Sequence, residues 1–203
     1  MKPNFLVFCT DQMQSFSMGC NGNDAIRTPN LDAIARDGVT FRRAYCNNNV
    51  CMPSRATMIT GMTPRQHGLL TNGCCLPDGV PTLTQALVEQ GYRTHSVGKL
   101  HLQPFGAPND SERRRSWESR AGWTRGEIEA LPSPYYGFQT ADFVGGHVNY
   151  VFGDYQRWLD EHHPATHERY AGENAYQRNG RAWRMDVPPE LHYNHWIADR
   201  TIE

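Results

Sequence analysis

The sequence predicts an α/β fold in which a mostly parallel β-sheet is flanked by helices. Short apolar runs alternate with helix patterns that have recognisable start and stop signals along the first half of the chain. This alternation is typical of parallel sheets, because the helix that connects two parallel strands packs against the sheet. The 203 residues are enough for one hydrophobic core, and we expect them to belong to a single domain.

The first predicted element is a strand over residues 4–10. Its apolar run, Phe5-Leu6-Val7-Phe8-Cys9, is continuous rather than alternating, as is typical of a parallel strand that is buried on both faces. Asp11 and Gln12 follow this run directly. We therefore expect both side chains at the carboxyl end of the strand, the edge at which open α/β sheets bind ligands.

Two helices are predicted next along the chain. The pattern of residues 28–38 begins with a threonine cap candidate, carries a proline at the first helical position and ends at a glycine. After an extended segment over residues 39–45, a second helix is predicted over residues 53–62, because Pro53 again suits the first turn. Cys51 then lies at the entry to this helix.

The same alternation continues in the next segment of the chain. A capped helix is predicted over residues 82–91, where apolar residues follow the helical period and a glycine ends the pattern. A strand is predicted over residues 92–98. Lys99 and His101 follow this strand and are therefore expected at its carboxyl end.

The rest of the chain carries weaker patterns. Residues 103–150 are rich in Pro, Gly, Arg and Trp and predict a long irregular excursion, in which Gly145-Gly146-His147 stays unassigned. Residues 151–161 are expected to form a short helix, and residues 190–203 an amphipathic helix. No stop signal follows this last helix, so we expect the chain to be a fragment of a longer fold.

The composition argues against nucleic-acid and membrane partners. Lys and Arg number 20 against 21 Asp and Glu, and a formal net charge of -1 gives no overall field that would attract DNA or an acidic membrane. The longest apolar run near the start is far shorter than the roughly 18 residues of a membrane span, and no signal-peptide pattern precedes it. We expect a cytoplasmic protein. The six cysteines lack paired metal-ligand spacing, and most are expected to be buried.

Cys51 is open to two interpretations on the residues alone. A helix amino terminus and the nearby Arg55 both favour a negatively charged sulfur, which would suit a nucleophile. However, no histidine lies close in sequence to act as a base, and the spacing to Arg55 is shorter than in the phosphate-binding loop of cysteine phosphatases. A structural cysteine is therefore an equal alternative.

Three motifs taken together resemble the type I sulfatase family of the alkaline phosphatase superfamily. Residues 51–55, Cys-Met-Pro-Ser-Arg, followed by Ala-Thr-Met-Ile-Thr-Gly, resemble the principal signature of the family. Residues 91–102 resemble its second signature, and residues 8–12 resemble the segment in which sulfatases carry a metal-binding acidic pair. Here Gln12 replaces the second acidic residue, as in the phosphonate monoester hydrolase branch. Residues 196–200 are similar to a weaker helix motif of the family.

The resemblance implies a large α/β sandwich built around a mostly parallel sheet. Residues 1–203 would then be the amino-terminal part of a single catalytic domain. Relatives are typically more than twice as long and take further metal ligands, a histidine and a lysine from their later half. None of those residues can be assigned in this chain.

The resemblance also implies a modified side chain at position 51. In this family a maturation enzyme oxidises the cysteine to formylglycine, whose aldehyde hydrates to a geminal diol; one oxygen attacks sulfur or phosphorus, and the other later regenerates the aldehyde. Arg55 would hold the diol oxygens. Lys99 and His101 would bind the oxygens of the ester or help to protonate the leaving oxygen. Asn72 lies where relatives often place an asparagine near the active site, and it is a candidate substrate-binding residue.

Asp11, Gln12 and the side chain of Cys51 are the implied ligands of a divalent cation. Carboxylate and amide oxygens are hard donors, which favours Ca²⁺, with Mg²⁺ or Mn²⁺ as alternatives. The resemblance thus implies a sulfuric ester hydrolase, similar to arylsulfatases, that cleaves sulfate monoesters. Two alternatives stay open: a phosphonate monoester or phosphodiester hydrolase with the same site, and a catalytically incomplete fragment or a non-enzymatic binding protein.

Overall fold

The computed structural model describes residues 2–106, 116–147, 150–166, 176–179, 182–185 and 187–203. The chain divides into two compact units, Met1–Tyr45 and Cys46–Glu203. The helices are α1 Pro29–Asp37, α2 Cys51–Thr60, α3 Pro64–His67, α4 Leu83–Glu89, α5 Arg120–Thr124, α6 Asp154–His162 and α7 Tyr193–Ile202. Short 3-10 helices span Gly19–Asn21 and Pro189–Leu191. The strands are β1 His95–Gly98, β2 Thr140–His147, β3 Tyr150–Gly153, β4 Tyr176–Asn179 and β5 Ala182–Met185.

The first unit contains helix α1 and the 3-10 helix Gly19–Asn21. Thr28 is the N-cap residue of α1, as predicted, but its hydroxyl accepts from the Gly19 N–H at 2.8 Å instead of capping its own helix. The same hydroxyl donates to Asp32 at 2.9 Å, and Asp32 also accepts from the Cys20 N–H at 2.7 Å. These hydrogen bonds fasten the 3-10 helix to the first turn of α1.

The predicted strand over residues 4–10 is wrong. These residues have no regular secondary structure, and the large apolar side chains Phe5, Leu6, Val7 and Phe8 are 65 to 79% exposed. A strand is stable only when a neighbouring strand accepts and donates its main-chain hydrogen bonds. Among the residues that the structure describes, no strand pairs with this segment. Residues 39–45 likewise form no strand.

The second unit contains a three-stranded mixed sheet in the order β1-β2-β3. Strands β1 and β2 are parallel, with His95 opposite Thr140 and Gly98 opposite Phe143. Strands β2 and β3 form an antiparallel hairpin in which His147 lies opposite Tyr150. Strands β4 and β5 form a separate antiparallel pair. Helices and strands together confirm the α/β class.

Two predictions for the second half of the chain need correction. Helix α5 and strand β2 lie within residues 103–150, which were expected to be irregular, and β3 precedes α6 where only a helix was predicted. The centre of β2 has only two consecutive large apolar residues, Phe143 and Val144, between a polar start and a glycine pair. Its strand conformation depends on pairing with β1, which precedes it by more than forty residues, and local sequence carries no sign of that pairing.

One cluster of buried residues in the second unit joins the segment after β1 to helix α2. Leu100 and Leu102, which follow β1, pack in the same cluster as Met52 and Ala56 of α2. Burying each leucine side chain contributes about 1.5–3 kcal/mol relative to leaving it exposed. A second cluster joins β2, α6 and α7 through Val144, Tyr155, Leu159 and Trp196. All six cysteines lie at exposed or half-buried positions, so the expectation that most are buried is wrong.

Among the residues that the structure describes, no helix is long and apolar enough to cross a membrane.

Candidate active site

Cys51 is the first residue of α2, so it lies at a helix entry as predicted, although the helix begins two residues before the predicted start at Pro53. The preceding residue, Val50, is extended, and the helix ends at Gly61 in the left-handed conformation that favours glycine. Helix α2 buries Met52 and Pro53 directly after Cys51, whereas Cys51 itself is half-buried. The core therefore fixes the first turn of the helix and leaves the thiol accessible at its amino terminus.

Arg55 connects the two signature segments. It lies one turn after Cys51 on α2, and its Nη1 donates to the main-chain oxygen of Lys99 at 2.5 Å. Lys99 follows β1 directly, 44 residues further along the chain. A hydrogen bond from a charged donor is roughly twice as strong as a neutral one. Arg55 thus holds the segment after β1 against the helix that begins at Cys51.

Asn72 contacts the same helix end. Its Oδ1 accepts from the Met52 N–H at 3.2 Å, and this N–H is one of those at the first turn of a helix that have no partner within the helix. The structure therefore brings Asn72 next to the amino terminus of α2. A substrate contact by Asn72 stays a prediction.

Lys99 meets a histidine that sequence reasoning left unassigned. Its Nζ lies 3.2 Å from Nε2 of His147, at the end of β2, and 5.8 Å from the centre of the Phe105 ring. Because an ammonium group has only protons to offer, the His147 ring accepts through Nε2 and is neutral in this contact. The only local signal was the glycine pair before His147, and no sequence pattern indicates a contact across 48 residues.

His101 lies in the turn that follows Lys99. Its backbone adopts the left-handed conformation, with a φ of 56°, and its ring stacks on Phe105 with 3.7 Å between ring centres. The residue is 5% exposed. Lys99 and His101 thus lie on one short turn and share contact with the same phenylalanine ring.

A buried carboxylate, which the sequence did not indicate, lies behind this turn. Glu118 is fully buried, and its two oxygens accept hydrogen bonds from the N–H groups of His101, Leu102 and Gln103 at 2.6, 2.8 and 3.1 Å. The hydroxyl of Tyr135 donates to the same carboxylate at 2.8 Å. Burial raises the pKa of Glu118 from 4.5 to about 7, although all four hydrogen bonds act to lower it.

His67 lies at the end of α3 and is 1% exposed. Its Nδ1 accepts from the Leu69 N–H at 3.1 Å, so the proton of the neutral ring is on Nε2, 3.2 Å from the Thr57 hydroxyl. Burial lowers the pKa of His67. This histidine supports α2 from the core and is not a candidate catalytic group.

Asp11 and Gln12 belong to the first unit, at exposed positions, with Gln12 at a φ of 57°. The structure brings Cys51, Arg55, Asn72, Lys99 and His101 together through hydrogen bonds and shared packing in the second unit. Cation binding by Asp11 and Gln12 stays a prediction. Their carboxylate and amide oxygens suit a hard divalent cation. Within the described residues, no group of three or more His, Cys, Asp and Glu side chains could hold a metal ion.

Comparisons with known proteins identify the family of the two signature segments. A family model described as Sulfatase matches residues 3–142. The chain is 38% identical over 109 residues to an arylsulfatase of Clostridium perfringens, a match that covers 51% of this chain and 22% of that protein. It is 32% identical over 117 residues to an ulvan-active sulfatase of Formosa agariphila, covering 58% of this chain and 23% of that protein. The chain thus spans about a fifth of the length of the curated relatives it matches.

The fold of the chain is similar to that of a solved structure. The phosphonate monoester hydrolase of Agrobacterium radiobacter matches 92% of this chain with a TM-score of 0.63 and 22% sequence identity. The match covers 34% of that chain. At this identity the likeness concerns the fold alone.

Proposed function

The chain belongs to the sulfatase family, and from this premise we propose that it is the part of a sulfuric ester hydrolase that carries the nucleophile and the anion-binding residues. Its substrate is a sulfate monoester of a small molecule. One observation carries the proposal: Arg55, one turn after Cys51, donates to the main-chain oxygen of Lys99 at 2.5 Å. This hydrogen bond joins residues of both signatures in the first turns of one helix, and a helix amino terminus favours an anion.

Each residue of this site has a proposed role. Cys51 is the precursor of a formylglycine, made by a maturation enzyme, and its hydrated aldehyde supplies the oxygen that attacks sulfur. Arg55 balances the charge of that oxygen. Lys99 and His101 bind the non-bridging oxygens of the ester or protonate the leaving oxygen. Asn72 contacts the substrate beside the helix end.

His147 joins the set because of its contact with Lys99. In the contact of 3.2 Å between Lys99 Nζ and His147 Nε2, the lysine carries the charge and the neutral ring accepts. The His147 ring therefore lies beside the ammonium group that is proposed to bind the ester oxygens. We therefore include His147 among the anion-binding residues.

A divalent cation completes the proposed site, with Ca²⁺ first and Mg²⁺ or Mn²⁺ as alternatives. The family resemblance implies Asp11, Gln12 and residue 51 as its ligands, and their hard oxygen donors suit these ions. When bound, the cation would stabilise negative charge on the oxygens of the reacting group. A cytoplasmic location remains a prediction from the sequence.

Mass spectrometry of the peptide that contains residue 51 tests the proposal. In protein from its native host, we expect the mass of an aldehyde in place of the thiol. Cys51→Ala is the matched control, because its methyl group has neither a thiol nor a hydroxyl to oxidise and should keep its unmodified mass. An unmodified thiol in protein that hydrolyses a sulfate ester would overturn the formylglycine proposal.

A second candidate is a phosphonate monoester or phosphodiester hydrolase with the same site. Gln12 supports it, because the resemblance places this residue type in that branch of the superfamily. Rates of hydrolysis of a sulfate monoester, a phosphonate monoester and a phosphodiester of the same alcohol distinguish the two. Faster turnover of either phosphorus ester than of the sulfate ester would reject the sulfatase proposal. Absence of turnover of all three would support the catalytically incomplete alternative.

A further inference from the structure

The turn after β1 forms a concave array of main-chain donors. His101 has the left-handed backbone conformation, and the N–H groups of His101, Leu102 and Gln103 converge. Successive N–H groups around a left-handed residue commonly form anion-binding concavities. In this protein the anion is the carboxylate of Glu118, which comes from the chain itself.

Glu118 is held in place by the segment that surrounds it. The Ser116 hydroxyl donates to the Pro104 carbonyl at 2.7 Å and accepts from the Glu118 N–H at 3.1 Å. The Trp117 N–H donates to the side-chain oxygen of Gln103 at 2.8 Å. These bonds fix the backbone on both sides of the carboxylate, so Glu118 has little freedom to leave the turn.

The turn is therefore held at two points by side chains of opposite charge. Arg55 binds the Lys99 carbonyl, and Glu118 binds the N–H groups of His101, Leu102 and Gln103. The main chain is thus held at Lys99 and at His101, the two residues proposed to bind the ester oxygens.

We propose that Glu118 is a positioning residue of the anion site: its carboxylate fixes the main chain of residues 101–103 and thereby orients Lys99 and His101 towards the bound sulfate group. This inference rests on the proposed function, because that function assigns the anion to Lys99 and His101. Glu118 itself touches no substrate, since it is fully buried behind the turn.

The ionisation of Glu118 supports this role. Three main-chain N–H groups and the Tyr135 hydroxyl donate to the carboxylate, so the ionised form satisfies all four donors. Among the described residues, the titratable group in contact with the carboxylate is Tyr135, which donates to it, and the His101 N–H also donates to it. Since burial raises the pKa of Glu118 to about 7, its ionisation is expected to change near neutral pH.

The test uses the full chain, inorganic sulfate as the probe, and amide NMR signals of residues 101–103. We expect Glu118→Gln to weaken sulfate binding at least about tenfold, because the carboxamide presents protons to at least one main-chain donor. We also expect the wild-type amide signals to titrate near pH 7 and those of the variant to lose this titration. Glu127→Gln is the matched control: Glu127 is a partly exposed partner of Arg125, and its replacement should change neither measurement.

Two results would overturn the proposal for Glu118, and a third would separate it from the proposed function. A folded Glu118→Gln variant that binds sulfate as tightly as the wild type overturns the proposal. If this variant does not fold, Tyr135→Phe decides: losing one hydrogen bond should raise the midpoint of the amide titration and weaken sulfate binding, and an unchanged midpoint overturns the proposal. If the wild type binds no sulfate, the proposed function fails, whereas the amide titration still shows whether Glu118 holds the turn.

Discussion

Arg55 makes a charged hydrogen bond between the two signature segments, in addition to the apolar packing of Leu100 and Leu102 with α2. We expect Arg55→Lys to lower kcat/KM for a sulfate ester by roughly 10- to 100-fold, which corresponds to losing a charged hydrogen bond of about 1.5–3 kcal/mol. Lysine keeps the charge, but it lacks the planar fork that reaches the Lys99 carbonyl while facing the site. The measurement is steady-state kinetics of the matured whole enzyme.

Arg65→Lys is the control for this prediction. Arg65 is exposed on α3, outside the proposed site, and the same replacement there should leave kcat/KM within about twofold. Equal activity of the wild type and Arg55→Lys would contradict the role of Arg55.

The burial of His67 is expected to make the free energy of unfolding depend on pH. Its pKa is lowered in the folded state, chiefly by burial, so the unfolded chain binds a proton more readily. The stability that His67 contributes is therefore complete above its unfolded pKa of about 6.5 and is lost as pH falls below that value. We expect the unfolding midpoint to fall on acidification below pH 6.5, and His67→Gln to reduce this dependence.

The same substitution at an exposed histidine separates this effect from the other titrations of the chain. His162→Gln, at an exposed position on α6, is the comparison variant. Chemical denaturation at several pH values between about 5 and 8 gives the slopes. If His67→Gln keeps the full wild-type slope, the buried neutral ring is not its source.

The sequence predicted the place of a single residue correctly where a reactive residue type lies next to a helix start signal. Cys51 was expected at a helix entry, and α2 begins there. Glu118 and His147 were not predicted, because a lone glutamate or histidine has no distinctive neighbours. Their importance comes from contacts with residues 101–103 and with Lys99, which the fold alone creates.

Among the secondary-structure elements, the β2–β3 hairpin depends on the glycine pair Gly145-Gly146. A Cβ at Gly146 would lie 1.8 Å from the Tyr150 carbonyl oxygen, and its φ of 97° also disfavours other residues. We expect Gly146→Ala to destabilise the protein by more than about 2 kcal/mol in thermal unfolding, because the clash is with backbone and cannot be relieved by a rotamer change. His147, the next residue, would move with the hairpin.

Gly126→Ala provides a matched control for the hairpin. Gly126 also has a positive φ, 68°, but a Cβ there would have no neighbour within 4 Å. The difference in stability between the two variants therefore isolates the cost of the clash with the Tyr150 carbonyl. Both variants share the cost of placing an alanine at a positive φ. Equal destabilisation by the two substitutions would show that the hairpin accommodates the methyl group.

Helices were predicted better than strands for a physical reason. Helices α1 and α4 have local start and stop signals, and the structure places them within two residues of the predicted limits. The run of residues 4–10 has the composition of a buried strand but forms none in this structure. Composition reports what a segment could bury, whereas a strand also needs a partner that lies elsewhere in the chain.

Cation binding is a prediction for the whole molecule. We expect isothermal titration with Ca²⁺ to show about one cation for each chain, and Asp11→Asn to weaken binding at least about tenfold, because a neutral amide replaces a charged ligand. Asp24→Asn in the same unit is the control, since Asp24 is also exposed and has no assigned role. Unchanged affinity in Asp11→Asn would exclude Asp11 as a ligand.

The sequence by itself determined the α/β class, the limits of the capped helices and the family, because cap residues, apolar periods and signature motifs are all local. Only the tertiary structure decided that Arg55 reaches the Lys99 carbonyl, that His147 meets Lys99 and that Glu118 holds the intervening turn. These contacts join residues 44, 48 and 17 positions apart. Their energies depend on which surfaces pack together, and that information is distributed over the whole core and is not present in any single segment.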